Sequence, residues 1–166
     1  SVLLAPTKNA VKNLENENIK GQILFSGDLS LDIFKDNYVP KSEDGRVLLT
    51  FHRAENTDNH EKLKNISYFI KDLSKKFKVI FPIHPRTKKE LTKNNLLDCY
   101  NNVEVIEPVG YREILRHVAK SVFIITDSGG LQKECFFAKK NVLNLRDVTE
   151  WVETRSNNFL CDALRL

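Results

Sequence analysis

Residues 126–134 read Thr-Asp-Ser-Gly-Gly-Leu-Gln-Lys-Glu. A β-branched run, Val122–Thr126, stops at Asp127, two glycines permit close backbone approach, and helical spacing begins. The first N–H groups of a helix have no intrahelical partner and point outward with the helix dipole, so a turn of this kind suits a phosphate. Ser128 adds a hydroxyl donor beside Gly129 and Gly130. Glu134 follows about one helical turn later, and its carboxylate has acceptor sites for two ribose hydroxyls. The same residues also make an ordinary capped helix behind a tight turn, so the neighbours of this segment decide between the two.

Those neighbours are polar. In an open parallel sheet, ligands bind beyond the carboxyl ends of the strands. His52, Arg53, Ala54, Glu55 and Asn56 follow the run Val47–Phe51, and His84, Pro85 and Arg86 follow Val79–Ile83. Glu107, Pro108 and Gly110 follow Val103–Ile106, and Arg146, Asp147, Thr149 and Glu150 follow Val142–Leu145. Two of the four histidines gather at this one edge, as do Arg53, Arg86 and Arg146. That gathering favours phosphate at Ser128–Gly130 over the plain capped helix. Arginine suits a diphosphate because its fork meets two oxygens at once. A lone histidine after a strand is commonly structural, but His52, with Arg53 and Glu55 beside it, is a candidate catalytic group.

Other chemistries are excluded by their missing patterns. Ser128 lacks the preceding glycine of a G-x-S-x-G nucleophile elbow. There is no G-x-G-x-x-G and no G-x-x-x-x-G-K-[ST]. Asp58, His60 and Glu61 hint at a metal, but acidic groups here better fit the positive end of a helix. No metal and no cofactor is therefore expected. His117 lies between apolar helical positions and reads as structural or exposed, and Cys135 reads as core. Trp151 either packs at the sheet edge or covers the cleft.

The elements that must position these residues alternate. Strands are predicted at Ile23–Phe25, Val47–Phe51, Val79–Ile83, Val103–Ile106, Val122–Thr126 and Val142–Leu145. Helices are predicted over Asn59–Phe77, Thr87–Leu97, Tyr111–Lys120 and Gly130–Lys139. Strands alternating with helices mean βαβ units and a parallel sheet, and the continuous apolar runs fit strands buried on both faces. From Val47 onward this makes five strands of a doubly wound, Rossmann-like α/β domain. Earlier, Thr7 caps a predicted helix Lys8–Asn16 with Ala10, Val11 and Leu14 as its buried face. Asp36 to Gly45 reads as a linker or surface loop. Residues 1–40 are expected to be the end of a preceding domain and a crossover, and residues 41–166 the ligand-binding domain.

The chain has 166 residues, 26 Lys+Arg against 22 Asp+Glu, and 41% hydrophobic residues, which suits one folded domain better than two. The net charge of +4 is small and scattered, which argues against nucleic acid. No apolar run approaches the ~20 residues of a membrane span, and no signal peptide opens the chain. Three separated cysteines suit a reducing compartment, so a cytoplasmic location is expected. Methionine is absent, and the chain reads as a piece of something longer.

Three segments carry a family resemblance: Leu49-Thr50-Phe51-His52-Arg53-Ala54-Glu55-Asn56, the Thr126–Glu134 segment, and Leu145-Arg146-Asp147-Val148-Thr149-Glu150-Trp151-Val152-Glu153. They resemble the non-hydrolysing UDP-N-acetylglucosamine 2-epimerases, and Ala5-Pro6-Thr7 with Gly27-Asp28 resembles that family's passage between domains. The resemblance implies two facing Rossmann-like domains, as in GT-B glycosyltransferases, with this chain as the C-terminal, UDP-gripping one. Ser128, Gly129 and Gly130 would hold the diphosphate and Glu134 the ribose, while His52 matches the motif histidine near the diphosphate. Arg53 and His84 match positions linked in bacterial members to a second, activating UDP-sugar, and Arg146 is a further candidate for diphosphate or activator. The implied reaction eliminates UDP and adds it back with C2 inverted, converting UDP-GlcNAc to UDP-ManNAc or a related sugar for surface polysaccharides. The carboxylates that move the C2 proton would lie in the missing N-terminal domain, which is the expected partner besides the UDP-sugar, with a homodimer among the assemblies allowed. The Thr-Glu-Trp-Val-Glu segment departs from the Thr-Glu-Arg-Pro-Glu of classic members, and residues 160–166 depart from the pattern. The alternatives are a GT-B glycosyltransferase domain and a non-catalytic UDP-sugar-binding module.

Overall fold

A computed structural model describes residues 1–166. The chain divides into two compact units, Ser1–Asn37 and Tyr38–Leu166. In the first, strands β1 (Val2–Ala5) and β2 (Gln22–Phe25) pair in parallel, with helix α1 (Lys8–Asn16) between them and α2 (Leu29–Asn37) after them. Thr7 caps α1 as predicted, its hydroxyl accepting from the Ala10 amide at 3.0 Å. The face expected to be buried is only half-covered, since no residue of α1 is buried. Strand β1 and helix α2 were not expected, and Asp36 belongs to α2 and not to a loop. The signal for α2 was Asp28, whose carboxylate accepts from the Ser30 amide and starts the turn.

The second unit holds β3 (Arg46–Thr50), α3 (Ala54–Thr57), α4 (His60–Leu73), β4 (Lys78–Pro82), α5 (Pro85–Lys93), β5 (Glu104–Ile106), α6 (Tyr111–Lys120), β6 (Ser121–Thr126), α7 (Gly129–Phe137), β7 (Val142–Asn144) and β8 (Asn158–Leu160). The strands form one sheet ordered β5-β4-β3-β6-β7-β8, every pair parallel. Counted within the unit, this is the 3-2-1-4-5-6 order of a doubly wound sheet, so the expected α/β class holds. Six strands form where five were expected. The sixth, β8, is three residues long and follows a polar stretch, too short to show a period.

Side chains alternate across the sheet. Val47, Leu49 and Phe51 enter one apolar core with Val79, Phe81 and Ile83, under Leu63, Ile66 and Ile70 of α4. Leu48 and Ile124 enter the other, with Leu131 and Cys135 of α7. Both faces are therefore covered, as a parallel sheet requires. Helix α6 has the predicted bounds. Helix α5 starts two residues earlier than Thr87 because Pro85 takes the first helical position, where a missing N–H costs nothing. Helices α5 and α7 end before Asn95 and Lys139, both at φ 56°, the left-handed conformation that closes a helix. Helix α4 stops at Leu73, short of Phe77.

Candidate functional site

The strand order reverses between β3 and β6, which opens a crevice beyond their carboxyl ends. There Asp127 is fully buried. Its carboxylate accepts from the His52 amide (3.1 and 3.0 Å), the Arg53 amide (2.8 Å) and the Asn56 side-chain amide (3.0 Å). Asn56 also donates to the Leu145 carbonyl at 3.0 Å. Asp127 and Asn56 together thus tie the chain ends after β3, β6 and β7. An uncompensated buried charge would be costly, and these donors compensate it.

In front of this anchor lies a cavity of about 290 Å³, lined by Thr50, His52, Ile114, Ser128, Gly130, Leu131 and Glu134. It brings together His52, Ser128, Gly130 and Glu134 of the predicted residues. Ser128 is the N-cap of α7, its oxygen accepting from the Leu131 amide at 3.3 Å. Its backbone is held from behind, the Ser128 amide donating to the Thr126 hydroxyl at 3.0 Å. The His52 imidazole stands 3.7 Å from Asp127 and stacks on His84 with ring centroids 5.1 Å apart. His84 is itself the N-cap of α5, Nδ1 accepting from the Arg86 amide at 3.1 Å. His84 therefore lies beside the cavity without lining it.

The two glycines differ. A methyl group on Gly129 would lie 2.8 Å from a Glu150 carboxylate oxygen and 3.2 Å from the Trp151 indole nitrogen. A methyl on Gly130 would meet nothing nearer than the Ser128 hydroxyl at 3.9 Å. Gly129 is buried under the loop after β7, whereas Gly130 is exposed and faces the cavity. That loop is held by Arg146, which pairs with Glu150 at 2.7 Å and approaches Glu55 to 3.8 Å. Burial pushes the Glu150 carboxyl up, but its own backbone N–H, Arg146 and Arg53 outweigh this and leave it below the usual range. Arg146 also lines a second cavity of about 330 Å³ with Asp147, Leu160, Asp162 and Arg165. Trp151 packs beside α7 with its ring under the Lys133 ammonium, 4.0 Å from the centroid.

Glu134, one turn into α7, is half-buried. Burial raises its pKa, and the Tyr111 hydroxyl and Lys133 pull it part of the way back. Tyr111, at the start of α6, is pushed up to about 12 by burial and by the facing Glu134. Sequence reasoning placed Asp127 and Asn56 at the polar edge without their anchoring role, and it did not single out Tyr111 or Ile114 as site residues. Ile114 carried a signal only as a member of the apolar face of α6.

The residues once weighed as metal ligands turn elsewhere: Asp58 pairs with Arg86, and His60 contacts Asn94 at 2.7 Å. No three His, Cys, Asp or Glu side chains gather as a ligand set. Cys135 is fully buried in the core, as expected, and His117 is largely covered on α6. No helix is long and apolar enough to cross a membrane.

Known proteins share this fold and part of this sequence. The Methanocaldococcus jannaschii UDP-GlcNAc 2-epimerase, solved in complex with UDP-GlcNAc and UDP, superposes with a TM-score of 0.86 and 38% identity, over 98% of this chain and 51% of that one. A UDP-N-acetylglucosamine 2-epimerase homolog of Methanococcus maripaludis is 42% identical, over 93% of this chain and 47% of the relative. The UDP-2,3-diacetamido-2,3-dideoxy-D-glucuronate 2-epimerase of Pseudomonas aeruginosa is 37% identical, over 99% of this chain and 49% of the relative. The chain thus spans about half the length of the curated relatives it matches. Since the family model described as UDP-N-acetylglucosamine 2-epimerase matches residues 1–163, nearly end to end, the chain belongs to that family.

Proposed function

We propose that residues 38–166 hold the nucleotide of a UDP-sugar, as the UDP-gripping part of a UDP-N-acetylglucosamine 2-epimerase. The observation that carries this is the cavity at the sheet's reversal point, with the α7 N-terminus and Glu134 on one wall and His52 opposite. The diphosphate lies against Ser128 and the α7 amides, and the ribose hydroxyls donate to Glu134. Ile114 and Leu131 supply an apolar wall for the base. His52, oriented by its backbone and by Asp127, gives a proton to the departing diphosphate and takes it back on re-addition. Arg53 and His84, outside the cavity lining, serve a second, activating nucleotide-sugar or the diphosphate of the first.

The full reaction interconverts UDP-GlcNAc with UDP-ManNAc, or a related pair, in the cytoplasm for surface-polysaccharide precursors. It requires a partner domain that supplies the base for C2–H and closes over the sugar. Such a proton is weakly acidic, so its removal needs a base within hydrogen-bond reach, charge stabilisation and exclusion of water. Loss of positioning alone forfeits on the order of 7–11 kcal/mol, and general acid–base help of ~10²–10⁴-fold from one histidine does not replace it. The chain alone is therefore expected to bind UDP without epimerising. Calorimetry with UDP, against ADP and GDP, tests binding, and equal affinities for the three would overturn the uridine assignment. Proton exchange at C2 in heavy water tests the division of labour. Exchange by the isolated chain that disappears in His52→Ala would show that this half carries its own base.

A further inference from the structure

We infer that the Thr50 hydroxyl is a further binding group of the cavity, a donor to the diphosphate of the bound nucleotide, and that Thr126 is the positioning residue behind it. This rests on the nucleotide reading above and adds two residues to it. Leu48 and Ile124 enter the apolar core against α7, and side chains two residues apart on a strand share a face. Thr50 and Thr126 are the next residues on that face, and β3 and β6 set them side by side in register. Their hydroxyl oxygens lie 2.8 Å apart. Thr126 is fully buried, whereas Thr50 is partly exposed and lines the cavity with His52 and Ser128. Valine has the same shape and the same preference for strands, so packing alone does not call for hydroxyls in this last layer of the sheet.

Counting protons gives the direction of the bond between them. A threonine hydroxyl has a single proton to donate and two lone pairs with which to accept. The Thr126 oxygen already accepts from the Ser128 amide at 3.0 Å. Its own proton is buried, and the Thr50 oxygen is the acceptor beside it. A buried donor left without an acceptor is costly, so Thr126 donates and Thr50 accepts. The Thr50 proton is then uncommitted, on a residue that fronts the cavity. The reverse arrangement would use that proton on Thr126 and strand the buried one. Thr126 therefore acts in two directions: it orients the Thr50 hydroxyl on β3, and it holds the amide of Ser128, the N-cap of α7. The Ser128 oxygen accepts from the Leu131 amide, which likewise leaves its proton for a ligand. Two hydroxyl protons, one from the end of β3 and one from the cap of α7, suit a group with several anionic oxygens, and a charged acceptor strengthens each bond.

The test is an NMR titration of the full chain with UDP and with uridine, which lacks the phosphates, on the parent, Thr50→Val, Thr50→Ser and Thr126→Val. Valine at position 50 keeps the shape and removes the hydroxyl, and serine restores the hydroxyl. The expected result for Thr50→Val is a loss of about tenfold in UDP affinity, the lower end for a hydrogen bond to a charged group, with uridine unaffected and Thr50→Ser close to the parent. Thr50→Ala removes the same donor from a smaller side chain and is read in the same way if the valine variant does not fold. Thr126→Val should also weaken UDP and spare uridine. A lower melting temperature with an unchanged ratio between the two ligands would overturn its positioning role. A Thr50→Val protein that binds UDP like the parent would overturn the inference and leave the nucleotide reading standing. An equal loss for UDP and uridine, or a loss that serine does not restore, would make Thr50 a packing residue and overturn it too. If the parent binds neither ligand, the nucleotide reading itself falls and takes the inference with it.

Discussion

Alanine at position 130 and alanine at position 129 should have opposite consequences, although the residues are adjacent and identical in type. Gly130 is exposed, sits in the first turn of α7, and has nothing within 3.9 Å of an added methyl group. Its native conformation is helical, so alanine lowers the entropy of the unfolded chain without strain and should stabilise the fold by up to about 1 kcal/mol. The same methyl projects where the diphosphate must approach the α7 amides. A ligand forced back by one methyl loses its shortest hydrogen bonds, and a loss of at least tenfold in UDP affinity, about 1.4 kcal/mol, is expected. At Gly129 the methyl meets the Glu150 carboxylate at 2.8 Å. That oxygen is the end of a flexible side chain and can move, but moving it disturbs the 2.7 Å pair with Arg146. The expected cost is about 1–2 kcal/mol of stability, in the range of overpacking. Thermal melts and UDP calorimetry on both variants decide the matter. A Gly130→Ala protein that is more stable and binds UDP like the parent would refute the approach along α7. A Gly129→Ala protein with unchanged stability would refute the packing role of the loop after β7.

Three further outcomes are expected. Asp127→Asn turns one acceptor oxygen into a donor among amides that already donate, and with charge-assisted bonds worth about 1.5–3 kcal/mol each it should lower denaturation midpoints more than any substitution at the cavity mouth. Glu134→Gln should raise the melting temperature at about pH 7 and change it little near pH 3.5, while weakening UDP binding. The sign follows from burial, which raises the Glu134 pKa in the fold: the unfolded chain releases its proton first as pH rises through that window, and the fold loses stability. A melting temperature lowered by Glu134→Gln at neutral pH would contradict this. The single tryptophan, Trp151, lies beside Gly129 and Lys133, so UDP should change its fluorescence, and Gly130→Ala should shift the titration to higher UDP. An intensity that does not respond to saturating UDP would place the nucleotide away from the α7 turn.

Most of the sheet was legible because its strands are continuous apolar runs, and the alternation with helices carries the parallel class by itself. Elements with a cap or a clean face, such as α1 with Thr7 and α6 with Ile114, Leu115 and Val118, were found at their bounds. What failed to show was short or lacked a periodic face. Strand β8 has three residues, and α2 has only one buried residue, Phe34. The polar edge was legible as a set of residues but not as a geometry. That Asp127 meets the amides of His52 and Arg53 depends on β6 lying beside β3, and no spacing along the chain encodes that neighbour. The unequal glycines are hidden for a related reason. Consecutive helical residues point about 100° apart, so one must face the cavity and the other the loop, but only the packing of residues 146–151 says which.

The charges at this edge are arranged so that paired ones lie behind and polar donors lie in front. Asp127 is buried and saturated by four hydrogen bonds from three residues, so it holds the backbone after β3 still without presenting its charge to the cavity. Arg146 is mostly covered and lies between two carboxylates, Glu55 and Glu150. An arginine so placed braces the loop over Gly129, and its charge is largely spent before an anion arrives. The cavity itself is lined by hydroxyls, an imidazole, a carboxylate and the start of a helix. On the proposed reading, a diphosphate there meets the neutral donors of Ser128 and the α7 amides together with the His52 imidazole. Such donors are effective only if they cannot turn away, because an anion in water already has partners that can. This gives the buried carboxylate its purpose: it is expensive to bury, and it fixes the backbone that carries the His52 imidazole at the cavity.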